Sequence, residues 1–278
     1  MYGNVIFVVW RESVEALLVV GILQAWLSAN APEARRARLY LWGGVVAGLA
    51  VAGLLGWTLV AFAETLSETA EVIWRTAMVL VACALILQMV MWMRRRGRTL
   101  KRDLEGALGT AVERNNWWGI FLLALIALAR EGSETAVFLY GILSVDLGGG
   151  RLAAIGAAVI GLAAALATYA LLQLGARILS WRLFFRVTEV MLLFLACALL
   201  MTGVDGLVDL DVLPKLSGRL WDSSRLLSDV GALGGFVSGL TGYRARPDLT
   251  ELLVFVAYWG LVTWFLTRPR PPKLPATA

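Results

Sequence analysis

The sequence predicts an all-α, polytopic membrane protein with seven transmembrane helices, and three observations support this fold class. Hydrophobic residues make up 59% of the chain and charged residues only 16%, whereas a soluble domain carries about 25% charged residues. The apolar residues are grouped into runs long enough to cross a bilayer. The polar segments between these runs alternate between basic and acidic.

The seven predicted helices are separated by short polar connections and one longer segment. They cover roughly residues 4–28, 39–62, 72–93, 117–143, 152–175, 186–204 and 250–267. At about 1.5 Å per residue, each can cross a hydrocarbon core of about 30 Å. We expect one transmembrane domain over residues 1–268, an outer loop at about 205–249 and a disordered cytoplasmic tail at 269–278.

The charge of the connections predicts the orientation in the cytoplasmic membrane. Basic residues are concentrated after the first, third and fifth helices and in the C-terminal tail. Short loops rich in Lys and Arg stay cytoplasmic, so we expect the N-terminus outside and the C-terminus in the cytoplasm. The net charge of +5 is therefore attributed to membrane topology, and no nucleic-acid partner is predicted.

A repeated order of motifs predicts two inverted three-helix repeats followed by one extra helix. The first helix contains Arg11-Glu12-Ser13-Val14-Glu15 and the fourth contains Arg130-Glu131-Gly132-Ser133-Glu134. An Ala-Cys-Ala-Leu sequence occurs in the third helix at 82–85 and again in the sixth at 196–199. With three helices in each unit, repeat one (about 4–93) and repeat two (about 117–204) enter the membrane from opposite sides, as in many transporters.

Each Arg-Glu-x-x-Glu motif places three charged side chains on one face of a membrane helix. A charged residue at a helix centre costs about 2.5–3.5 kcal/mol on insertion scales, so these faces are expected to turn away from lipid. A local ion pair between Arg11 and Glu15 is the simpler interpretation, but it leaves Glu12 unexplained. We therefore predict a metal site of Glu12, Glu15, Glu131 and Glu134, supported by Arg11 and Arg130.

The residue types limit which metal such a site can bind. The chain has no histidine, which excludes histidine-ligated haem and zinc sites that contain histidine. Four carboxylates suit Fe, Mn, Mg or Ca better than Cu(I) or Zn, and ligand type alone does not select iron.

A second acidic group precedes the third helix at Glu64, Glu68 and Glu71. Its carboxylates are a candidate entrance that raises the local concentration of cations. The alternative is a solvated helix N-terminus with favourable dipole placement.

The sequence resembles the high-affinity iron permeases, which include the fungal oxidase-linked iron permease and its bacterial homologues in the Efe-type iron uptake system. That family is identified by Arg-Glu-x-x-Glu motifs in its first and fourth helices, which match Arg11–Glu15 and Arg130–Glu134. The resemblance implies import of Fe(II) or Fe(III), with the motif glutamates as ligands. It also implies separate periplasmic iron-binding or redox partners.

Iron is accordingly expected as a transported substrate, with no permanently bound cofactor and no enzymatic activity. Three alternatives remain at this point. One is transport of another hard divalent cation such as Mn. Another is an intramembrane carboxylate-metal oxidase, although such di-iron sites usually add histidines in a Glu-x-x-His pattern. The third is a purely structural membrane subunit, in which the motif glutamates tolerate replacement by Gln.

Overall fold

The computed structural model describes residues 2–31, 35–96, 99–144, 150–173, 181–228 and 232–267, and every regular element in these ranges is an α-helix. The predicted all-α class is confirmed for this part of the chain. The helices are α1 Tyr2–Asn30, α2 Arg35–Ala63, α3 Glu68–Arg96, α4 Leu100–Glu113, α5 Trp117–Leu143, α6 Arg151–Gln173, α7 Trp181–Asp209, α8 Ala232–Thr241 and α9 Leu249–Thr267. The predicted tail at 269–278 lies outside the described residues.

Five helices in the described ranges are long and apolar enough to cross a membrane. They are α2, α3, α6, α7 and α9. The two motif helices, α1 and α5, are 29 and 27 residues long, but each carries one arginine and two glutamates. Large apolar side chains on α2, α6 and α9 are exposed, including Trp57, Leu152 and Leu261. These exposed surfaces are typical of helices that face lipid.

The motif helices pack most closely against helices of the other half of the chain. α5 packs on α2, and α1 packs on α6. Glycines allow the backbones to approach: a Cβ atom added at Gly48 of α2 would lie 2.9 Å from the carbonyl oxygen of Leu125, and one added at Gly161 of α6 would lie 2.7 Å from that of Ile6. Small residues at such contacts are the usual device of membrane helix packing.

Two apolar clusters fill the interior of the bundle. The larger one joins α1, α3, α5, α6, α7 and α9 and includes Val8, Ile86, Phe138 and Leu195. The second lies where α1, α2, α4 and α5 meet, around the buried Leu108. The motif residues of α1 follow the part of that helix that contributes Val5, Val8 and Val9 to the larger cluster, so rigid packing fixes the start of the motif.

The connection between α3 and α5 contains an unpredicted helix. α4 begins after Thr99 and ends before a turn at Asn115, which has a positive φ of 51°. The side chain of Asn116 then caps α5 by accepting a hydrogen bond of 3.0 Å from the backbone N–H of Gly119. α4 folds because its apolar side packs on α1 and α5. The basic residues of this segment had indicated a loop, so the sequence did not predict this helix.

The segment predicted as an outer loop from about 205 to 249 is partly helical. Residues 205–209 continue α7, and α8 occupies Ala232–Thr241 until Gly242 ends it with a φ of 76°. α8 packs on α7, and Asn4 of α1 donates a hydrogen bond of 2.9 Å to the Gly239 carbonyl. These contacts stabilise a helix in a glycine-rich sequence that does not favour one alone.

Hydrogen bonds hold the remainder of this segment together. Ser223 donates a backbone hydrogen bond of 2.9 Å to Ala245, and Arg246 forms an ion pair of 3.0 Å with Asp222. Hydrogen bonds from the side chain and backbone of Ser224 lower the pKa of Asp222 to about 2. Asp222 therefore stays charged at physiological pH and keeps its ion pair with Arg246.

The packing at Gly161 makes a testable prediction about stability. A leucine there would force its Cβ to within 2.7 Å of the Ile6 carbonyl oxygen and 3.0 Å of the Val9 Cβ. Overpacking of this kind costs about 1–3 kcal/mol or more. We expect Gly161→Leu to lower the melting temperature of the detergent-solubilised protein. Gly156→Leu on the same helix, where nothing lies within 4 Å, is the matched control; equal melting temperatures of the two variants would contradict the prediction.

Candidate metal centre

Arg11 is the centre of the first motif and is completely buried. Its Nη1 donates to Glu12 Oε1 at 2.5 Å and to Met89 Sδ at 2.8 Å. Its Nη2 donates to Glu15 Oε1 and, at 3.1 Å, to Met93 Sδ. The guanidinium thus lies between two carboxylates of its own helix and two thioethers of α3. The ion pair of Arg11 with Glu15, considered above as the simpler alternative, is present, and Glu12 shares the same arginine.

Three of the four predicted ligands lie together. One carboxylate oxygen from each of Glu12, Glu15 and Glu131 lies within 4.8 Å of the corresponding oxygens of the other two. α1 supplies two of these glutamates and α5 the third, since the two motif helices pack against each other. Oxygens this close can share one cation, because carboxylates bind metals at about 2.0–2.6 Å.

Several carboxylate oxygens of the motifs are buried and accept no hydrogen bond from the residues that the structure describes. They are Glu12 Oε2, Glu131 Oε2 and Glu134 Oε2. A buried polar atom left in this state costs roughly 1–3 kcal/mol, and more when the group is charged. Such an arrangement is therefore typical of a site whose partner is an ion or a proton.

Glu134 is placed differently from the other three glutamates. It lies outside the carboxylate trio defined by Glu12, Glu15 and Glu131, and its Oε1 accepts a hydrogen bond of 3.0 Å from Arg130 Nε. The Arg130 guanidinium in turn lies over the Trp92 ring, with Cζ 4.1 Å from the ring centroid. The second motif therefore keeps its arginine and its last glutamate as a separate pair beside the trio.

The predicted entrance residues lie at the start of α3. Glu64 is in the exposed turn after α2, while Glu68 and Glu71 are in the first turn of α3. Among the described residues, none of the three joins the carboxylate trio. Their arrangement is compatible with a helix N-terminus stabilised by acidic residues, and their role as an entrance remains a prediction.

Sequence reasoning missed the residues of α3 that contact both motif arginines. Met89, Trp92 and Met93 recur at helical spacing on one side of α3, and each contacts Arg11 or Arg130. No sequence signal separates them from ordinary lipid-facing or core residues of an apolar span. The next residue, Arg94, donates from Nε to Glu189 Oε1 of α7, so this end of α3 is also tied to the second half of the chain.

Known proteins resemble this chain along nearly its whole length. The chain matches the Iron permease FTR1 family over residues 2–268. The chain belongs to this family. This confirms the resemblance that the two Arg-Glu-x-x-Glu motifs indicated. The chain is therefore a multi-pass membrane protein of iron transport, as its family and its apolar helices both indicate.

Several curated relatives in the family match along almost their whole length. The ferrous iron permease EfeU of Yersinia pestis is 29% identical over 274 residues, which cover 96% of this chain and 93% of the relative. The ferrous iron permease EfeU of Escherichia coli O6:H1 is 27% identical, with coverage of 98% and 96%. No solved structure matches the chain.

Proposed function

We propose that this chain imports iron as Fe(II) across the cytoplasmic membrane, through a centre formed by Glu12, Glu15, Glu131 and Glu134. The observation that carries the proposal is the trio of carboxylates from two helices within 4.8 Å of one another. Membership in an iron permease family selects iron among the hard cations that such oxygens bind. We choose the ferrous state because the relatives described above are ferrous iron permeases.

The charges of the motifs support a cation as the occupant. Four glutamates face only two arginines, and Arg11 already serves both Glu12 and Glu15. An entering Fe(II) offsets the remaining negative charge and takes up the unpaired oxygens of Glu12 and Glu131. Glu134 completes the ligand set when it leaves Arg130, and its return to Arg130 releases the ion.

Seven membrane spans result if both motif helices cross together with the five apolar ones. The reciprocal packing of α1 on α6 and of α5 on α2 supports two inverted repeats, because exchanging the repeats exchanges these two contacts. The basic connections support an outer N-terminus and a cytoplasmic C-terminus. Glu64, Glu68 and Glu71 then lie on the outer side, where separate periplasmic iron-binding or redox proteins deliver the ion.

Uptake of radiolabelled iron into proteoliposomes tests the proposal. We expect uptake that requires a reductant such as ascorbate, and that a tenfold excess of Mn²⁺ reduces by less than about half. Liposomes without protein are the control for leakage. Uptake only in the absence of reductant would show Fe(III) as the substrate, and complete competition by Mn²⁺ would favour a general carrier of hard divalent cations.

A further inference from the structure

The inner face of the last turns of α3 contacts both motif arginines. Met89 and Met93 accept hydrogen bonds from Arg11 at 2.8 and 3.1 Å, and the Trp92 ring lies under Arg130. We call these three residues the α3 clamp. We propose that the α3 clamp is a positioning element for iron transport, in which Trp92 keeps Arg130 on Glu134 and thereby holds the fourth glutamate away from the ligand trio. This inference rests on the proposed function.

The side chains of the α3 clamp can hold an arginine beside a carboxylate without competing with that carboxylate. Thioether sulfur and an aromatic face both attract a guanidinium without adding negative charge. Oxygen acceptors at the same positions would compete with the glutamates or with the ion. The clamp therefore fixes both arginines and leaves the carboxylates as the anionic groups of the centre.

The clamp belongs to one half of the chain only. Alignment of Cys83 with Cys197 places Gly203 at the position equivalent to Met89 and Gly206 at that of Trp92. These glycines of α7 lie against Leu80 and Thr76 of α3. The same alignment places Leu207 at the position of Met93. Since the second half has glycines in close contact at the other two positions, the clamp is not a simple product of the repeat. A specific role in the centre accounts for it better.

The two motif arginines differ in exposure, and the more exposed one makes the contact of the α3 clamp that can change most easily. The Arg11 side chain is completely buried, whereas that of Arg130 is 36% exposed. Arg130 thus has room to move, and the contact with Trp92 at 4.1 Å restrains it. Loss of the aromatic face frees Arg130 to leave Glu134, and Glu134 then joins Glu12, Glu15 and Glu131 more readily.

Iron uptake kinetics of Trp92 variants test this inference. In Trp92→Leu we expect the half-saturating Fe(II) concentration to fall about fivefold. This factor corresponds to the free energy of an exposed cation–π contact. The maximal rate should fall as well, because the additional carboxylate slows release. Trp92→Phe keeps an aromatic face and should stay close to the wild type. Met91→Leu, an exposed position on the same helix, is the matched control.

A second background separates positioning from a general structural effect. With Glu134→Gln, the substitution Trp92→Leu should no longer change half-saturation, because the group that Trp92 controls is gone. A shift of equal size in both backgrounds, an unchanged half-saturation in Trp92→Leu, or an equal defect in Trp92→Phe would each overturn the inference. Trp92→Met replaces Trp92→Leu if the latter does not reconstitute. Failure of the proposed function is distinguishable, since the wild type and Met91→Leu would then transport no iron.

Discussion

Glu12→Gln is expected to reduce iron uptake by at least about 100-fold while the protein still folds. Glu12 is 1% exposed, contacts Arg11 and contributes an oxygen to the carboxylate trio. Changes to groups that only support a metal ligand already cost about 10- to 100-fold, so the loss of a charged ligand itself should cost at least as much. Glutamine keeps the shape of the side chain but removes the charge that would neutralise an ion in the proposed centre.

The four motif glutamates should not respond equally to replacement by glutamine. Glu15→Gln and Glu131→Gln alter the same trio and should resemble Glu12→Gln. Glu134→Gln should retain more uptake, because Glu134 is paired with Arg130 outside the trio. Glu113→Gln at the exposed end of α4 controls for the change in charge. Initial uptake rates in proteoliposomes, normalised to monodisperse protein, measure the effect; wild-type rates in Glu12→Gln would rule out the centre.

Arg11→Met is expected to destabilise the folded protein by about 3–5 kcal/mol, the range seen when one partner of a buried ion pair is removed. Arg11 is completely buried and donates to both Glu12 and Glu15. Methionine fills a similar space but leaves Glu12 buried without its partner. In a chain of this size the loss should lower the melting temperature by roughly 10 °C, as measured by thermal unfolding in detergent.

Two further variants show whether charge or packing explains the loss of stability in Arg11→Met. Adding Glu12→Gln to Arg11→Met should recover part of the lost stability, since replacing both partners costs less than leaving one charge alone. Arg130→Met removes the partly exposed arginine of the second motif and should destabilise less. A melting temperature of Arg11→Met equal to that of the wild type would show that the ion pairs of Arg11 do not stabilise the fold.

Helical geometry fixes how the residues within one motif lie relative to one another, so this part of the arrangement could be predicted from the sequence. Residues three and four positions apart lie on the same face of a helix, so Glu15 lies beside both Arg11 and Glu12 on α1. The cost of charge in lipid favours turning this face toward α5. The proposed control of Glu134 involves the contact of Trp92 with Arg130. That contact joins residues 38 positions apart, and spacing within one motif carries no information about it.

The unpredicted helices have a similar explanation. α4 carries Lys101 and Arg102 in its first turn, and these charges indicated a loop. Its folding depends instead on packing, because it buries Leu108 completely. α8 contains three glycines, and its packing on α7 together with the Asn4 hydrogen bond offsets their low helix propensity. Both helices depend on contacts that only the assembled bundle provides.

The glycine contacts have a consequence for how the bundle can move. Gly161 joins α6 to α1, and Gly48 joins α2 to α5, in each case with backbone against backbone. Closely packed surfaces of this kind slide with difficulty, so each pair should travel as one rigid body. If transport moves helices relative to one another, the moving units are then expected to be two pairs, each with one helix from either half of the chain. Under the proposed function, relative motion of the two pairs changes the distance between Glu12 and Glu15 on α1 and Glu131 on α5, and so alters the proposed ion centre.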